Sequence, residues 1–367
     1  MVDIIVKDKL RASIEAASGG KQTVLYTAKG QPTYMNIIEK FDNSLYGSAD
    51  GMGASHTAFN YVTEGVLSRI FVGTYKGVVV NGELLSLPYT ALDSTSYTLR
   101  QMLNYARACG KGFHLMTARE QIAAAYVGIS QGGQNLGNKN SGTDANGHTG
   151  TIGGGDGTGY TLTGSGGYTW SHDGTISGIQ DLSGGGWEYI NGIRIRGSEL
   201  QILSNDIAYN YTDADTLLNA SWKAVDATTG ALIDATSNGT LDTTSYEATT
   251  PNSIRIVNSA ESVGTNGIYF KAYEPFLLNN FTFGSNITNA AKNQLKTYGI
   301  LPVSTVSTSN SAYIGIDQDN GYTERYAMAG GGIYFGESGG VFSRVMRVGF
   351  DGDELGLKFG RPCYAEI

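Results

Sequence analysis

The period of hydrophobic positions changes several times along the chain, and each change predicts a new element. Over residues 7–18, Leu10, Ile14 and Ala17 share one helical face, and Gly19-Gly20 stop the run. An amphipathic helix this short has no core of its own and is expected to dock on a partner or on the body of the protein. Residues 22–90 read as β-rich, with runs at Val24-Leu-Tyr26 and Arg69-Ile-Phe-Val-Gly-Thr-Tyr75. Within Gly77–Ser86, the Asn81-Gly82 pair separates two apolar runs. Both residues tolerate positive φ, so the spacing predicts a hairpin.

Two helices are expected next. The first covers about 96–109, with Leu99, Met102, Leu103 and Ala106 on one face and Gly110 past its end. The second opens on Thr117-Ala-Arg-Glu120, a capping box, and runs through Tyr126 to about Ser130. Residues 131–168 are a tract of Gly, Asn, Thr and Ser that reads as a long surface insertion. Strands return from Tyr168 to Ile207, around Trp170, Trp187 and Ile193-Arg-Ile-Arg196. Residues 208–262 look like a polar insertion of strands and turns. A last helix is predicted over about 289–298, capped by Thr288 and stopped by Gly299, and 311–367 is again glycine-punctuated β.

Composition narrows the class. The 367 residues include 52 glycines, about twice the ordinary share, but only 6 prolines and no three-residue period, which excludes collagen. An apolar fraction of 40% with 23 tyrosines argues for an ordered chain. The net charge of −8, without any Lys/Arg cluster, argues against nucleic acid as a partner. No apolar run approaches the roughly 20 residues that span a bilayer, so membrane insertion is not expected. The first 20 residues lack the order of a signal peptide. Cys109 and Cys363 are too few for a disulfide framework and are expected to be buried thiols.

Catalytic and metal motifs are weak. His56, His114, His148 and His172 form no close pair, and no G-x-S-x-G is present. Gly153–Gly159 carries a single calcium-repeat-like unit, and Asp317-Gln-Asp-Asn-Gly321 begins like an EF-hand loop but lacks its closing Glu. Asp351-Gly-Asp-Glu354 reads as a solvated turn. No cofactor or tightly bound transition metal is expected. The C-terminal stretch differs in kind. It crowds Tyr326, Met328, Ile333, Tyr334, Phe335, Met346 and Phe350 among Glu337, Arg344, Arg347, Asp351 and Asp353. Aromatic, Met and Arg side chains on a rigid frame are what interfaces enrich. Tyr334 and Phe335 sit among glycines, where a turn exposes two adjacent side chains together.

Three blocks resemble a known family. Phe113-His-Leu-Met-Thr-Ala-Arg-Glu120, Asp181-Leu-Ser-Gly-Gly-Gly-Trp-Glu-Tyr189 and the closing set Gly330-Gly-Gly-Ile333, Gly339-Gly-Val-Phe342 and Gly356-Leu-Lys-Phe-Gly-Arg-Pro362 resemble C-type lectin-like folds of the formylglycine-generating-enzyme type. The resemblance covers roughly 110–207 and 265–367. Within that fold the layout is similar to phage receptor-binding proteins, such as the major tropism determinant and the variable proteins of diversity-generating retroelements. The enzyme branch uses a pair of C-terminal cysteines for copper, or three histidines for iron. Here only Cys363 stands in that region.

The resemblance implies an α+β chain with a C-type lectin-like domain of helices packed on twisted antiparallel sheets. Residues 1–90 would be a β-rich attachment or oligomerisation region, 91–207 and 263–367 the two parts of the lectin-like domain, and 208–262 a β-rich insertion. The implied function is a non-enzymatic phage virion adhesin, a homotrimer attached to other virion tail proteins. It would bind a bacterial surface receptor, protein or polysaccharide, through Tyr326, Met328, Ile333, Tyr334, Phe335, Glu337, Ser338, Arg344, Met346, Arg347, Asp351, Asp353 and Lys358. The alternatives are a structural tail protein that binds no receptor and a formylglycine-generating-type oxidase.

Overall fold

Local sequence rules set most elements in the computed structural model, which describes residues 2–46, 50–61, 65–133, 136–204, 221–235, 250–272, 274–308, 311–316, 324–352 and 357–366. Helix α1 (Val2–Ala17) stops where Gly19 and Gly20 take positive φ. It lies along β1 (Gln22–Tyr26): the Arg11 Nε donates to the Val24 carbonyl at 2.9 Å, and the Thr23 hydroxyl to Glu15 at 2.6 Å. Strand β2 (Pro32–Glu39), the short pair β3 (Asn60–Tyr61) and β4 (Gly65–Val66), and β5 (Arg69–Gly73) follow. The expected hairpin is β6 (Gly77–Val80) and β7 (Glu83–Ser86). Asn81 and Gly82 turn it with φ of 50° and 78°, the signs that match strand twist.

Helix α2 (Leu99–Ala108) buries the predicted Leu99, Met102, Leu103 and Ala106 and is capped by Thr98 with Gln101. After β8 (Phe113–Leu115), the Thr117–Glu120 box starts α3 (Ala118–Ser130). Then come β9 (Trp187–Arg196), β10 (Glu199–Leu203), β11 (Trp222–Val225), β12 (Leu232–Asp234), β13 (Arg255–Val257), β14 (Gly267–Phe270) and β15 (Phe281–Phe283). Helix α4 (Asn289–Thr297) has the expected cap in Thr288 and stop in Gly299. The chain continues through β16 (Ile314–Ile316), β17 (Glu324–Gly330), β18 (Gly340–Val348), β19 (Lys358–Phe359) and β20 (Pro362–Tyr364). Trp170, expected on a strand, sits instead in a short 3₁₀ turn.

The architecture is mixed α+β with mostly antiparallel sheets. One sheet runs β1-β2-β5-β20-β8. The other runs β15-β14-β13-β10-β9-β17-β18-β16, with β11 also on β10, β12 on β11, and β19 beside β9. Sheet pairing joins segments that the resemblance sets apart. Strand β20 joins the first sheet, and β11 and β13 pair with β10, so segments 1–90 and 208–262 share sheets with the rest of the chain. Helix α3 is buried on nearly every side, with Ile122 and Tyr126 in one core with Ile70, Val72, Ile190 and Ile193. Its Ala123-Ala-Ala125 run is small enough to let neighbouring layers approach. Helix α2 and Leu84 of the hairpin share a second core with Tyr189, Tyr326, Met328 and Phe350. Among the described residues, no helix is long and apolar enough to cross a membrane. Cys109 and Cys363 are buried free thiols.

A buried ion cluster clamps the two sheets together. Arg361 grips Glu188 of β9 with two bonds, Nε at 2.9 Å and Nη2 at 2.7 Å, and donates to the carbonyls of Gly73 (2.8 Å) and Gln180 (3.0 Å). Lys76 reaches the same carboxylate at 2.8 Å and the Gly186 carbonyl at 2.8 Å. Burial alone would raise the Glu188 carboxyl, but Arg361 and Lys76 outweigh it and hold it below the usual range. Arg361→Met removes one charge and strands the carbonyls of Gly73 and Gln180, so it should cost about 3–5 kcal/mol in urea unfolding.

Two histidines are buried as hydrogen-bond acceptors. His172 Nδ1 accepts the Ile179 amide at 2.8 Å and His56 Nδ1 the Ala58 amide at 3.1 Å. Burial pulls their pKa values down to about 4 and about 3. Between those values and the unfolded value near 6.5, the unfolded chain binds protons that the native state does not, so stability is complete above that value and falls as pH drops. Urea unfolding should show a loss of about 2 kcal/mol per histidine by pH 5. His172→Gln should reduce the pH slope by about one proton.

Candidate functional site

The structure divides the expected receptor face into core and surface. Tyr326 and Met328 on β17, Met346 on β18, Lys358 on β19 and Ile333 are all buried. The cause is layering. Strand β17 is hydrogen-bonded to β9 and β18, with Ala327 and Ala329 facing the α3 core and Tyr326 and Met328 the α2 core. Neither face of β17 is open, so Tyr326 and Met328 do not form the contact surface expected of them. Met346 and Lys358 are enclosed as well, whereas Ile333, though buried, lines the cleft beside Tyr334 and Phe335.

Arg344 is also buried. Alternation along β18 turns it, with Phe342 and Met346, toward α3. There its guanidinium donates to the Gln121 side chain and to the carbonyls of Val341 (3.1 Å) and Ser343 (3.0 Å). Burial lowers its pKa to about 10. Arg344 is therefore a buried cation held by the core, and it also lines the cleft beside Tyr334 and Phe335. Asp351 is exposed but held by both arms of Arg100 at 2.7 and 2.8 Å. Asp353 and the Asp317–Gly321 run lie outside the described residues.

The other expected residues gather at one place. Tyr334 and Phe335 are exposed side by side, at 65% and 40%, on the turn between β17 and β18. Glu337 is exposed beside them, and Ser338 is half-buried. Tyr334, Phe335, Ser338 and Arg347, with the buried Ile333 and Arg344, border a cleft of about 300 Å³. Arg347 is the extra residue of a β-bulge: Tyr326 pairs with Val348 and Ala327 with Met346, which leaves Arg347 unmatched in the ladder. Bulges re-aim a side chain in this way.

Sequence reasoning missed the opposite walls, formed by Asp156 and Tyr160, by Trp187 at the start of β9, and by Tyr313 next to β16. The Trp187 and Phe335 rings meet edge to face at 5.2 Å between centroids. One signal was present: Tyr160, Trp187 and the Tyr334-Phe335 pair each follow closely on glycines. No comparable signal marks Tyr313.

The 131–168 tract is not the loose surface insertion that its composition suggests; its backbone builds one side of the cleft. Ser141 N–H donates to the Ile333 carbonyl at 2.8 Å, and Gly336 N–H to the Lys139 carbonyl at 3.0 Å. Asn138, itself buried, bonds the Gly159 carbonyl at 2.8 Å and the Gly142 amide at 2.7 Å. At the mouth, the Tyr334 hydroxyl donates to the Thr158 carbonyl at 2.8 Å. The Thr158 hydroxyl and amide hold the Asp156 carboxyl below its usual range, and burial raises the Tyr160 phenol to about 12. Burial also pulls Lys139, beneath the turn, down to about 8.

Among the described residues, one group of three metal-capable side chains converges: His114, Glu120 and Cys363. His114 and Cys363 are cross-strand partners, and His114 Nε2 lies 2.8 Å from Glu120 Oε1. Two ligands on one tetrahedral ion would be about 3.3 Å apart. The other Glu120 oxygen caps α3 by accepting the Thr117 amide at 2.8 Å and hydroxyl at 2.9 Å. The trio reads as a hydrogen-bonded joint between β8, β20 and α3. His172 likewise has a backbone partner, as its place in a Ser/Gly turn suggested.

No protein-family model matches the chain, and no curated protein matches it in sequence. The site therefore rests on its own geometry.

Gly186 is the most constrained point of the wall. Its φ is 104°, and an added Cβ would stand 2.4 Å from the Phe359 ring. Gly186→Ala should destabilise the protein by about 2 kcal/mol or more in thermal or urea unfolding, through both strain and overpacking.

Proposed function

We propose that the protein is a phage virion adhesin that recognises a bacterial surface receptor at the cleft edged by Tyr334 and Phe335. The observation that carries this reading is the pair itself: two adjacent aromatic side chains left exposed on a hydrogen-bonded turn. Exposed aromatics on a rigid frame concentrate at binding sites, because they bring large contact area at low ordering cost. The sequence blocks that resemble the C-type lectin-like fold of phage receptor-binding proteins support the same reading. So do the mixed α+β architecture and the position of the turn between two late strands. The reading makes the protein a homotrimer in the virion tail, with recognition as its only chemistry.

The test is attachment. Tyr334→Ala combined with Phe335→Ala should weaken binding of purified protein to host cells at least tenfold, equivalent to about 1.4 kcal/mol. The melting temperature should change little, since neither side chain is buried. Unchanged attachment by the folded double variant would move the binding face elsewhere. Absence of attachment by the parent protein would favour a structural tail component.

A further inference from the structure

We propose that the cleft binds a neutral pyranose unit of a surface glycan, an assignment that rests on the receptor reading above and gives its ligand a chemical class. Size is the first argument. About 300 Å³ is the lower end of small-molecule pockets, whereas a stable protein partner needs about 800 Å² of surface on each side. A single sugar ring matches a space of that order.

Chemistry is the second argument. A pyranose has an apolar C–H face and an edge of hydroxyl groups, so it needs flat apolar walls beside paired donors and acceptors. Trp187, Tyr334 and Phe335 supply the walls. Asp156, Ser338 and Arg347 supply acceptors and donors suited to neighbouring hydroxyls.

Charge is the third argument. Asp156 and two arginines line the cleft: Arg347, and Arg344 with its guanidinium bonded to Gln121 and to backbone carbonyls. Glu337 is exposed on the same turn, and the whole chain carries −8. An anionic polymer would approach against that field. An organic cation, the other frequent guest of aromatic walls, would meet the Arg347 guanidinium.

The chain has three tryptophans, and Trp170 and Trp222 are fully buried, so Trp187 reports on the cleft. Full-length protein labelled with fluorotryptophan would be titrated with the methyl glycosides of glucose, galactose, mannose and N-acetylglucosamine. Methyl glucuronide serves as the anionic comparison, and Trp187→Phe assigns the resonance. At least one neutral glycoside should shift the Trp187 signal alone and saturate with a Kd on the order of 1–10 mM. Tyr334→Ala should weaken that binding at least about fivefold, and Asp156→Asn, another exposed position, should weaken it as well.

The proposal is overturned if no neutral glycoside shifts the signal, if the glucuronide binds more tightly, or if both variants bind like the parent. The attachment assay separates this failure from failure of the receptor reading. Attachment that depends on Tyr334 and Phe335, without any glycoside binding, leaves a receptor of another class. Glycoside binding with unaltered attachment by the double variant leaves a sugar site that is not the adhesive face.

Discussion

Everything at the cleft hangs on one buried carboxylate. Glu188 sits in β9 and receives Arg361 from the turn before β20 and Lys76 from the turn after β5, so three distant segments meet at one side chain. Guanidinium and ammonium together outweigh the cost of burying the acid, and each cation also donates to backbone carbonyls. The next residue after Gly186, whose carbonyl Lys76 holds, is Trp187, a wall of the cleft. The ion cluster therefore fixes the distance between the sheets and, through the backbone, the place of an aromatic ring.

From that anchor outward, the cleft is assembled by main-chain bonds. Lys139 and Ser141 hold the 333–336 turn by backbone contacts, and Gly184 donates to the Gly330 carbonyl. Glycine is used where side chains would obstruct: Gly331 takes φ of 90°, with the Gly339 Cα 2.6 Å from where its Cβ would stand. Such a frame leaves Tyr334 and Phe335 projecting, with the Thr158 carbonyl and the Trp187 ring as their contacts across the cleft. Tyr334 can remain mostly exposed because the turn beneath it does not need its ring as packing.

Short-range signals in the sequence were legible, and long-range layering was not. The hairpin at Asn81-Gly82, the capping box at Thr117–Glu120, the buried stripe of α2 and the Thr288–Gly299 helix all follow from interactions within a few residues. The exposure of Tyr334 and Phe335 was readable for the same reason, since the glycines that cause the turn adjoin them. Tyr326, Met328 and Met346 misled because an alternating aromatic and Met pattern looks alike on an open face and under a second layer. Only the packing of α2 and α3 distinguishes the cases. The 131–168 tract misled differently. Its composition reports few side chains to pack, but its contacts are made by amides and carbonyls, which composition does not record. The cleft joins the tract, β9, β16 and the late turn, and no spacing rule links segments so far apart.

The position of β20 has a consequence for how the protein is made. Strand β20 lies between β5 and β8, and β8 has no other partner in that sheet. Arg361, which closes the ion cluster, meets the Gly73 carbonyl across 288 positions of sequence. During synthesis, β1, β2 and β5 can pair early, but β5 keeps an unpaired edge until residues 362–364 have left the ribosome. Closure of so long a loop is slow, and an open edge is a surface on which nascent chains associate. A chain interrupted anywhere before β20 would have neither a finished first sheet nor Arg361 on Glu188. Emergence of residues 361–364 is thus the step that completes the first sheet and the ion cluster together.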